Sequence, residues 1–501
     1  MSISRKIAGQ SAFFLAGNIF TLVVGFALQV YLARQLGAEG LGIFGLLESG
    51  VGVVTTLLGL GVAQTGLRHI PAHLKREEYG MVHALVRKGF IILLLSGSTG
   101  FFLTAAAIPV ISEQWPQLVT YRTEAVAMTL LIPLGMLLFF CTAVLRGFQD
   151  VRHIVIGSSF IQLSAKALLA VLLIWVGYSV LGYIWAAIIA TLLALAWMLF
   201  GIQRHLARIP PDKHEFPGLL PEWKAYARVM YGNSMLDFWS KPLDRFVLGL
   251  LAGPAAVGVL IIVKMLYALP SVFLQMFLSI VAPMMASAHA DDDMAEVQHI
   301  YHLCTDWLVR ISLPLVIFLM VFSAPVLSQF GEHFAAEGTL LLQLLLVAQL
   351  INLLCGPIGN VLNMCSLEKE MFRISIISTI VGALILVGTV YLLGVIGVGV
   401  SLIFTVIYAN FAALYTARKR LGFFWWDARF VRWILPAFLS ACTALLLQDF
   451  ATTPIQLVGA LMGLYVLCHG AQWLIHGLNP DDHEIIRAIR NKIPGNRIAE
   501  T

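Results

Sequence analysis

Charge is what this sequence has least of: 12% of its 501 residues are Asp, Glu, Lys or Arg, about half the share usual in soluble globular domains. That scarcity excludes a water-soluble fold. The net charge is +5, yet no basic run interleaves with aromatics in a polar setting, so nucleic acid is excluded as a partner. Cysteine is also sparse. Cys141, Cys304, Cys355, Cys365, Cys442 and Cys468 stand singly in or near apolar stretches. Without a Cys-x-x-Cys spacing they read as small buried hydrophobes, not ligands or disulfides. No Gly-x-x-x-x-Gly-Lys-[Ser/Thr] loop occurs, which removes ATP hydrolysis by that route. No nucleophile–base pairing is evident, so the chain does not read as an enzyme, and neither cofactor nor metal is expected. Asp291-Asp292-Asp293 has no nucleotide-binding domain around it and reads as a solvated loop. His69 and His73 have zinc-like i,i+4 spacing, but Pro71 between them disfavours the helix that would align them.

What the chain does have is apolar length. Hydrophobic residues make up 59% of it, mean hydropathy is +0.87, and stretches of roughly 20 apolar residues recur from end to end. The expected fold is an all-α polytopic membrane protein of about fourteen transmembrane helices. The first apolar stretch lacks the short core and small-residue cleavage site of a removable signal, so it is expected to remain as the first span. With the N-terminus in the cytoplasm, most of the 32 Lys and Arg fall on cytoplasmic segments, as the positive-inside rule requires. Both termini are then cytoplasmic. The run Gly422-Phe-Phe-Trp-Trp426 beside Arg418-Lys419-Arg420 reads as an interfacial anchor.

An internal repeat divides the chain. A shift of 216 residues pairs Gly37 with Gly253, Gly42 with Gly258, His73 with His289 and Pro109 with Pro325; a shift of 217 pairs Gly177 with Gly394. The unit is six helices, so both copies have one topology, and substrate sites of such repeats lie at the repeat interface. We therefore expect an N-terminal lobe over 1–205, a cytoplasmic linker over 206–225, a pseudo-symmetric second lobe over 226–420, and two extra helices with a tail over 421–501.

Ionisable groups within spans are costly and mark cavities or partners. The seventh span holds Asp237, Lys241, Asp244 and Arg245; the i,i+4 and i,i+3 spacings of its first three put them on one face, and Pro242 favours a kink there. Either this cluster lines a cavity or it docks the two lobes. Glu48 in the second span and Lys264 in the eighth are equivalent under the 216 shift. They read as an interlobe gate, as separate cavity groups, or as groups satisfied within their own lobes. Lys166 in the fifth span is a further cation, or a snorkelling one. Arg34 ends the first span, where it meets a headgroup or anchors the helix. Asn18, Gln29 and Gln64 add polar points on or beside the first two spans.

The run Tyr31-Leu-Ala-Arg34-Gln-Leu-Gly37-Ala-Glu-Gly40-Leu-Gly42-Ile-Phe resembles the first hairpin of bacterial polysaccharide flippases. Its repeat partner, from Leu243 to Gly258, resembles their seventh–eighth hairpin, and Leu145-Arg146-Gly147 is similar to the end of their fourth span. These are the Wzx-like O-antigen and exopolysaccharide transporters, in the superfamily that also holds multidrug exporters and the peptidoglycan-precursor flippase. The resemblance implies two six-helix lobes around a cationic cavity. It implies alternating access that carries an undecaprenyl-diphosphate-linked oligosaccharide across the bacterial inner membrane, in concert with other polysaccharide-assembly proteins. Lys166, Lys241, Arg245 and Lys264 would meet the pyrophosphate, with Arg34 at the headgroup level. Glu48, Asp237 or Asp244 would carry an exchanged proton or sodium ion, unless the membrane potential suffices. The two extra helices are similar to those of the precursor flippase. That relative's arginines on the first two helices have no match here, because no cation precedes Arg34 in the first span and the second carries Glu48.

Overall fold

The computed structural model describes residues 3–114, 119–210, 221–240 and 243–477, and these are helical with short turns. Lys241 and Pro242 lie outside the described residues. In chain order the helices are α1 (Ile3–Leu58), α2 (Val62–Lys75), α3 (Tyr79–Gln114), α4 (Arg122–Thr129), α5 (Leu131–Gly147), α6 (Val151–Trp175), α7 (Ser179–Leu206), α8 (Pro221–Ser240), α9 (Leu243–Leu251) and α10 (Pro254–Ala290). Then come α11 (Met294–Val321), α12 (Ser323–Ser328), α13 (Glu332–Leu354), α14 (Ile358–Met364), α15 (Glu368–Leu393), α16 (Val395–Leu421), a short 3-10 turn (Ala428–Trp433), α17 (Ile434–Leu447) and α18 (Pro454–His476).

Twelve stretches of these helices are long and apolar enough to cross a bilayer. The first is α1, which contains two of the expected spans: at Gly37 (φ 68°, ψ −176°) the backbone leaves helical geometry and the chain turns. The seventh expected span is divided between α8 and α9. These two facts reconcile the twelve stretches with the expected fourteen spans. Large apolar side chains such as Trp175, Tyr391, Leu446 and Ile455 are exposed. In water such surface would be a liability; on membrane-spanning helices it is the lipid-facing side.

The chain forms two compact units. One comprises residues 1–262 with Leu386–Val398; the other comprises Val263–Ile385 and the residues from Gly399 onward. In the first unit, Ile70, Phe140, Val144, Leu145 and Met198 are fully or nearly fully buried in one apolar cluster. α2 is a continuous helix with Pro71 inside it, contrary to the sequence expectation. Burial of Ile70 and His73 holds the helix together against the proline's weak propensity. His69 and His73 are indeed aligned, their rings 6.0 Å apart. α8 begins at Pro221, a favoured first helical position. The end of the expected linker is therefore helical, with Trp223 buried and its indole N–H donating to His73 Nε2 at 3.3 Å.

In the second unit, α17 and α18 pack against α11. The buried Asp306 accepts from Arg310 Nη2 and from Trp433 Nε1, both at 2.8 Å. The Tyr465 hydroxyl donates to the Ile311 carbonyl at 2.8 Å. Asp306 went unremarked in the sequence; its i,i+4 spacing to Arg310 was the available sign. The aromatic run after α16 is only partly an interfacial element: Trp426 is exposed, but Phe423 is buried edge-on against Tyr301 at 4.9 Å. Asp293 caps α11 by accepting from Glu296 N at 2.9 Å.

The repeat appears in local conformation. Gly37 (φ 68°) and Gly253 (φ 86°) both adopt left-handed turns, as do Gly177 (φ 104°) and Gly394 (φ 59°). Gln149 (φ 57°) and Ser366 (φ 60°), also 217 residues apart, do the same without a glycine.

Candidate functional site

The first unit contains an open cavity of about 770 Å³. Its longest wall is the part of α1 after the Gly37 bend. Glu48, Gly52, Thr55 and Thr56 line it, a spacing of three and four that puts them on one helix face, and Gly59 just beyond the helix end lines it too. α9 contributes Arg245, α6 Gln162, α7 Thr191 and α8 Ser234, while Gln64 comes from α2. The opposite character comes from Leu93 and from Leu131, Met136, Leu138 and Phe139. The space is thus amphiphilic, with hydroxyls, amides and one ion pair facing aliphatic and aromatic carbon.

Arg245 Nη1 reaches Glu48 Oε2 and Ser49 Oγ, each at 3.3 Å. The Ser49 hydroxyl itself donates to the Gly45 carbonyl at 2.8 Å, leaving its lone pairs for the arginine. Glu48's side chain is 56% exposed and Arg245's 29%, so water screens the pair and it contributes less than about 1 kcal/mol to stability. It is weak enough to be exchanged. Gln162 Nε2 donates to Thr191 Oγ1 at 3.2 Å, and Thr191 donates onward to the Ala187 carbonyl.

Of the residues singled out in the sequence, the structure brings Glu48 and Arg245 together. Asp244 precedes Arg245 in the first turn of α9, and its Oδ1 accepts from the Arg245 backbone N–H at 2.8 Å. Lys166 lies one helical turn beyond Gln162, its Nζ 5.7 Å from the ring of the buried Tyr183. Phe44 packs on that same ring at 4.3 Å. Arg34 is exposed on α1, just before the bend. Lys264 belongs to the second unit. Asp237 is on α8, but its side chain, like Lys241, lies outside what is described.

Sequence reasoning, which followed charge, picked out Gln64 but missed the rest of the neutral polar wall. It also missed the π-helical segment Ile156–Gln162 inside α6. Such segments sit disproportionately at functional positions; here it sets the register of Gln162 and of Lys166 after it. The small polar run Gly157-Ser158-Ser159 was the only hint.

Comparison with known proteins decides the family. The family model described as "Polysaccharide biosynthesis protein" matches residues 8–289, more than half of the chain. The chain belongs to this polysaccharide biosynthesis family. A second family model, MatE, matches residues 230–388. Among solved structures, the chain is similar to the lipid II flippase MurJ in an inward closed conformation. The identity is 13%, the TM-score 0.71, and 92% of this chain and 98% of that one are covered. It is similar to an inward-facing multidrug resistance MATE family transporter of the MOP superfamily, with 16% identity, a TM-score of 0.63, and coverage of 80% and 94%. A MOP superfamily transporter from Pyrococcus furiosus Vc1 matches at 18% identity and a TM-score of 0.56, covering 83% of this chain and 95% of that one. No curated protein matches. This member of the polysaccharide biosynthesis family therefore has the multi-span fold of MOP superfamily transporters and flippases.

Proposed function

We propose that the protein flips an undecaprenyl-diphosphate-linked oligosaccharide from the cytoplasmic to the periplasmic leaflet of a bacterial inner membrane. Both termini would face the cytoplasm. The observation that carries this reading is the family match over residues 8–289, which spans every lining residue of the cavity. The cavity's chemistry supports it: hydroxyls and amides suit sugar, and the aliphatic wall suits the start of a prenyl chain. Arg245 meets the diphosphate by exchanging the Glu48 carboxylate for a phosphate oxygen, a stronger, doubly charged partner. Lys166, Lys241 and Lys264 add positive charge along the path, and Arg34 engages the headgroup level. The expected lobes over 1–205 and 226–420 alternate access, without nucleotide hydrolysis.

Two sources of drive are available. A diphosphate moving outward through an inside-negative potential gains ~2.3 kcal/mol per uncompensated charge per 100 mV. Alternatively a proton or sodium ion exchanges, carried by Glu48, Asp237 or Asp244. The test is accumulation of lipid-linked oligosaccharide in the inner leaflet of a deletion strain. Accumulation reversed by wild type but not by Arg245→Glu supports both the flippase and its site. Reversal by both retains the function and discards Arg245. A strain that accumulates none, yet becomes sensitive to cationic drugs, points to a multidrug antiporter of the same fold instead.

A further inference from the structure

Away from the cavity, three side chains converge at the junction of three consecutive spans. Asp150 lies in the turn between α5 and α6, His153 in the first turn of α6, and His205 in the last turn of α7. Asp150 Oδ2 is 2.6 Å from His153 Nδ1 and 2.6 Å from His205 Nε2. The donor atoms of all three lie within 4.8 Å of one another. All are largely covered, with side-chain exposures of 13%, 16% and 25%. The rings are held in place: Phe148 stacks on His205 at 4.9 Å and 7°, and Trp197 stacks on His153 at 5.4 Å. Gly201 gives the His153 ring its room, since a Cβ there would press on it at 2.8 Å.

We propose that Asp150, His153 and His205 form a binding site for a divalent transition-metal ion, with zinc as the representative. Two imidazoles and one carboxylate are the donor set of open three-ligand zinc sites, which leave a further position for water. Imidazole nitrogens favour zinc and its first-row neighbours over calcium or magnesium, which require more oxygen ligands. Without a cation, the Asp150 carboxylate accepts an N–H from each ring. With one, His153 carries its proton on Nε2 and His205 on Nδ1, so that both facing nitrogens present lone pairs. The flanking cations Arg152 and Arg204 are exposed to solvent, where their repulsion is screened. A bound ion would clamp the α5–α6 turn to the end of α7.

The test uses the full chain, purified in detergent after removal of a non-histidine tag, titrated with Zn²⁺ calorimetrically and with Co²⁺ by visible absorption. We expect one ion per chain, with Co²⁺ bands of a four- or five-coordinate site. His205→Gln and His153→Gln should weaken binding by more than the about 10–100-fold that loss of an outer-shell partner costs. Gln at 205 retains an N–H donor for Asp150, and melting curves without metal verify that each variant is folded. The exposed His333 supplies the control, His333→Gln, which should bind like wild type. Absence of binding by wild type overturns the site, as does binding that survives either substitution or is lost with His333→Gln.

Discussion

The hairpin around Gly37 and its counterpart around Gly253 are the same piece of backbone carrying different chemistry. A Cβ on Gly42 would overlap the carbonyl oxygen of Pro254, and a Cβ on Gly258 would overlap that of Ala38. Adding 216 to 38 and 42 gives 254 and 258, so each copy makes the other's contact, as in a two-fold interface. Gly45 faces the side chain of Ile261, its own counterpart, which places these two residues on the local pseudo-axis. The charges obey no such symmetry. Glu48 and Arg245 pair, while under the same shift their counterparts are Lys264 and Gln29. Backbone crossing has been preserved where only Gly fits, and side chains have diverged where the helices face the cavity. The crossing is architecture, and the asymmetry falls on the lining of the cavity.

That division can be broken experimentally. The largest effect belongs to the crossing: Gly42→Val and Gly258→Val should each cost about 3 kcal/mol or more, since backbone and not a flexible side chain must yield. Both should abolish a monodisperse peak in fluorescence-detected size exclusion, whereas Gly25→Ala, with open space around it, should not. An asymmetric result, with only one glycine essential, would refute the paired crossing. Next comes charge. Arg245→Glu should eliminate complementation of a deletion strain while shifting Tm little, because the native pair is screened. The exchange Glu48→Arg with Arg245→Glu should likewise leave Tm near that of wild type without restoring transport, if the position of the cation matters and not merely the pair. Lys264→Glu tests the counterpart of Glu48: a severalfold loss of transport is expected if it lies on the anion's path, and an unchanged rate removes it from the site.

The smallest effect concerns pH at α2 and α8. His69 is held below its ordinary value of 6.5 by burial, then by His73 and Arg68, and its Nε2 is buried with no hydrogen-bond partner among the described residues. The folded state thus takes up a proton less readily than the unfolded one. The stability this lends is complete above pH 6.5 and is lost as the pH falls from there through the folded value. Wild-type Tm should drop by a degree or so more than that of His69→Gln between pH 7.5 and 5.5. Equal drops would mean that His69 does not titrate differently on folding.

Much of this organisation was legible in the sequence because hydropathy and recurrence are one-dimensional signals. The spans follow from apolar length, and the match of Gly37 with Gly253 marks equivalent positions in the two copies of the repeat. Arg245 was found because a cation in a membrane helix is conspicuous. Its pairing was not: repeat arithmetic matched Glu48 with Lys264, and only the folded chain brings Glu48 to Arg245. Thr55, Gln162, Thr191 and Ser234 come from four separate helices, and uncharged polar residues carry no sign of where they point. The Asp150–His205 contact joins residues whose closeness depends on α6 and α7 returning together. Pro71 misled for the reverse reason, since a local breaker was overruled by tertiary burial.

The paired crossing has a consequence for how the protein is made. All of its contacts lie between Ala38 and Ile261, within the residues that form most of the first unit. Synthesis proceeds from the N-terminus, so these helices can lock while the remainder is still on the ribosome. A chain stalled far enough past that point for Ile261 to have left the ribosome should already hold the Gly42–Pro254 contact, and insertion of the later spans would then proceed against a partly finished scaffold.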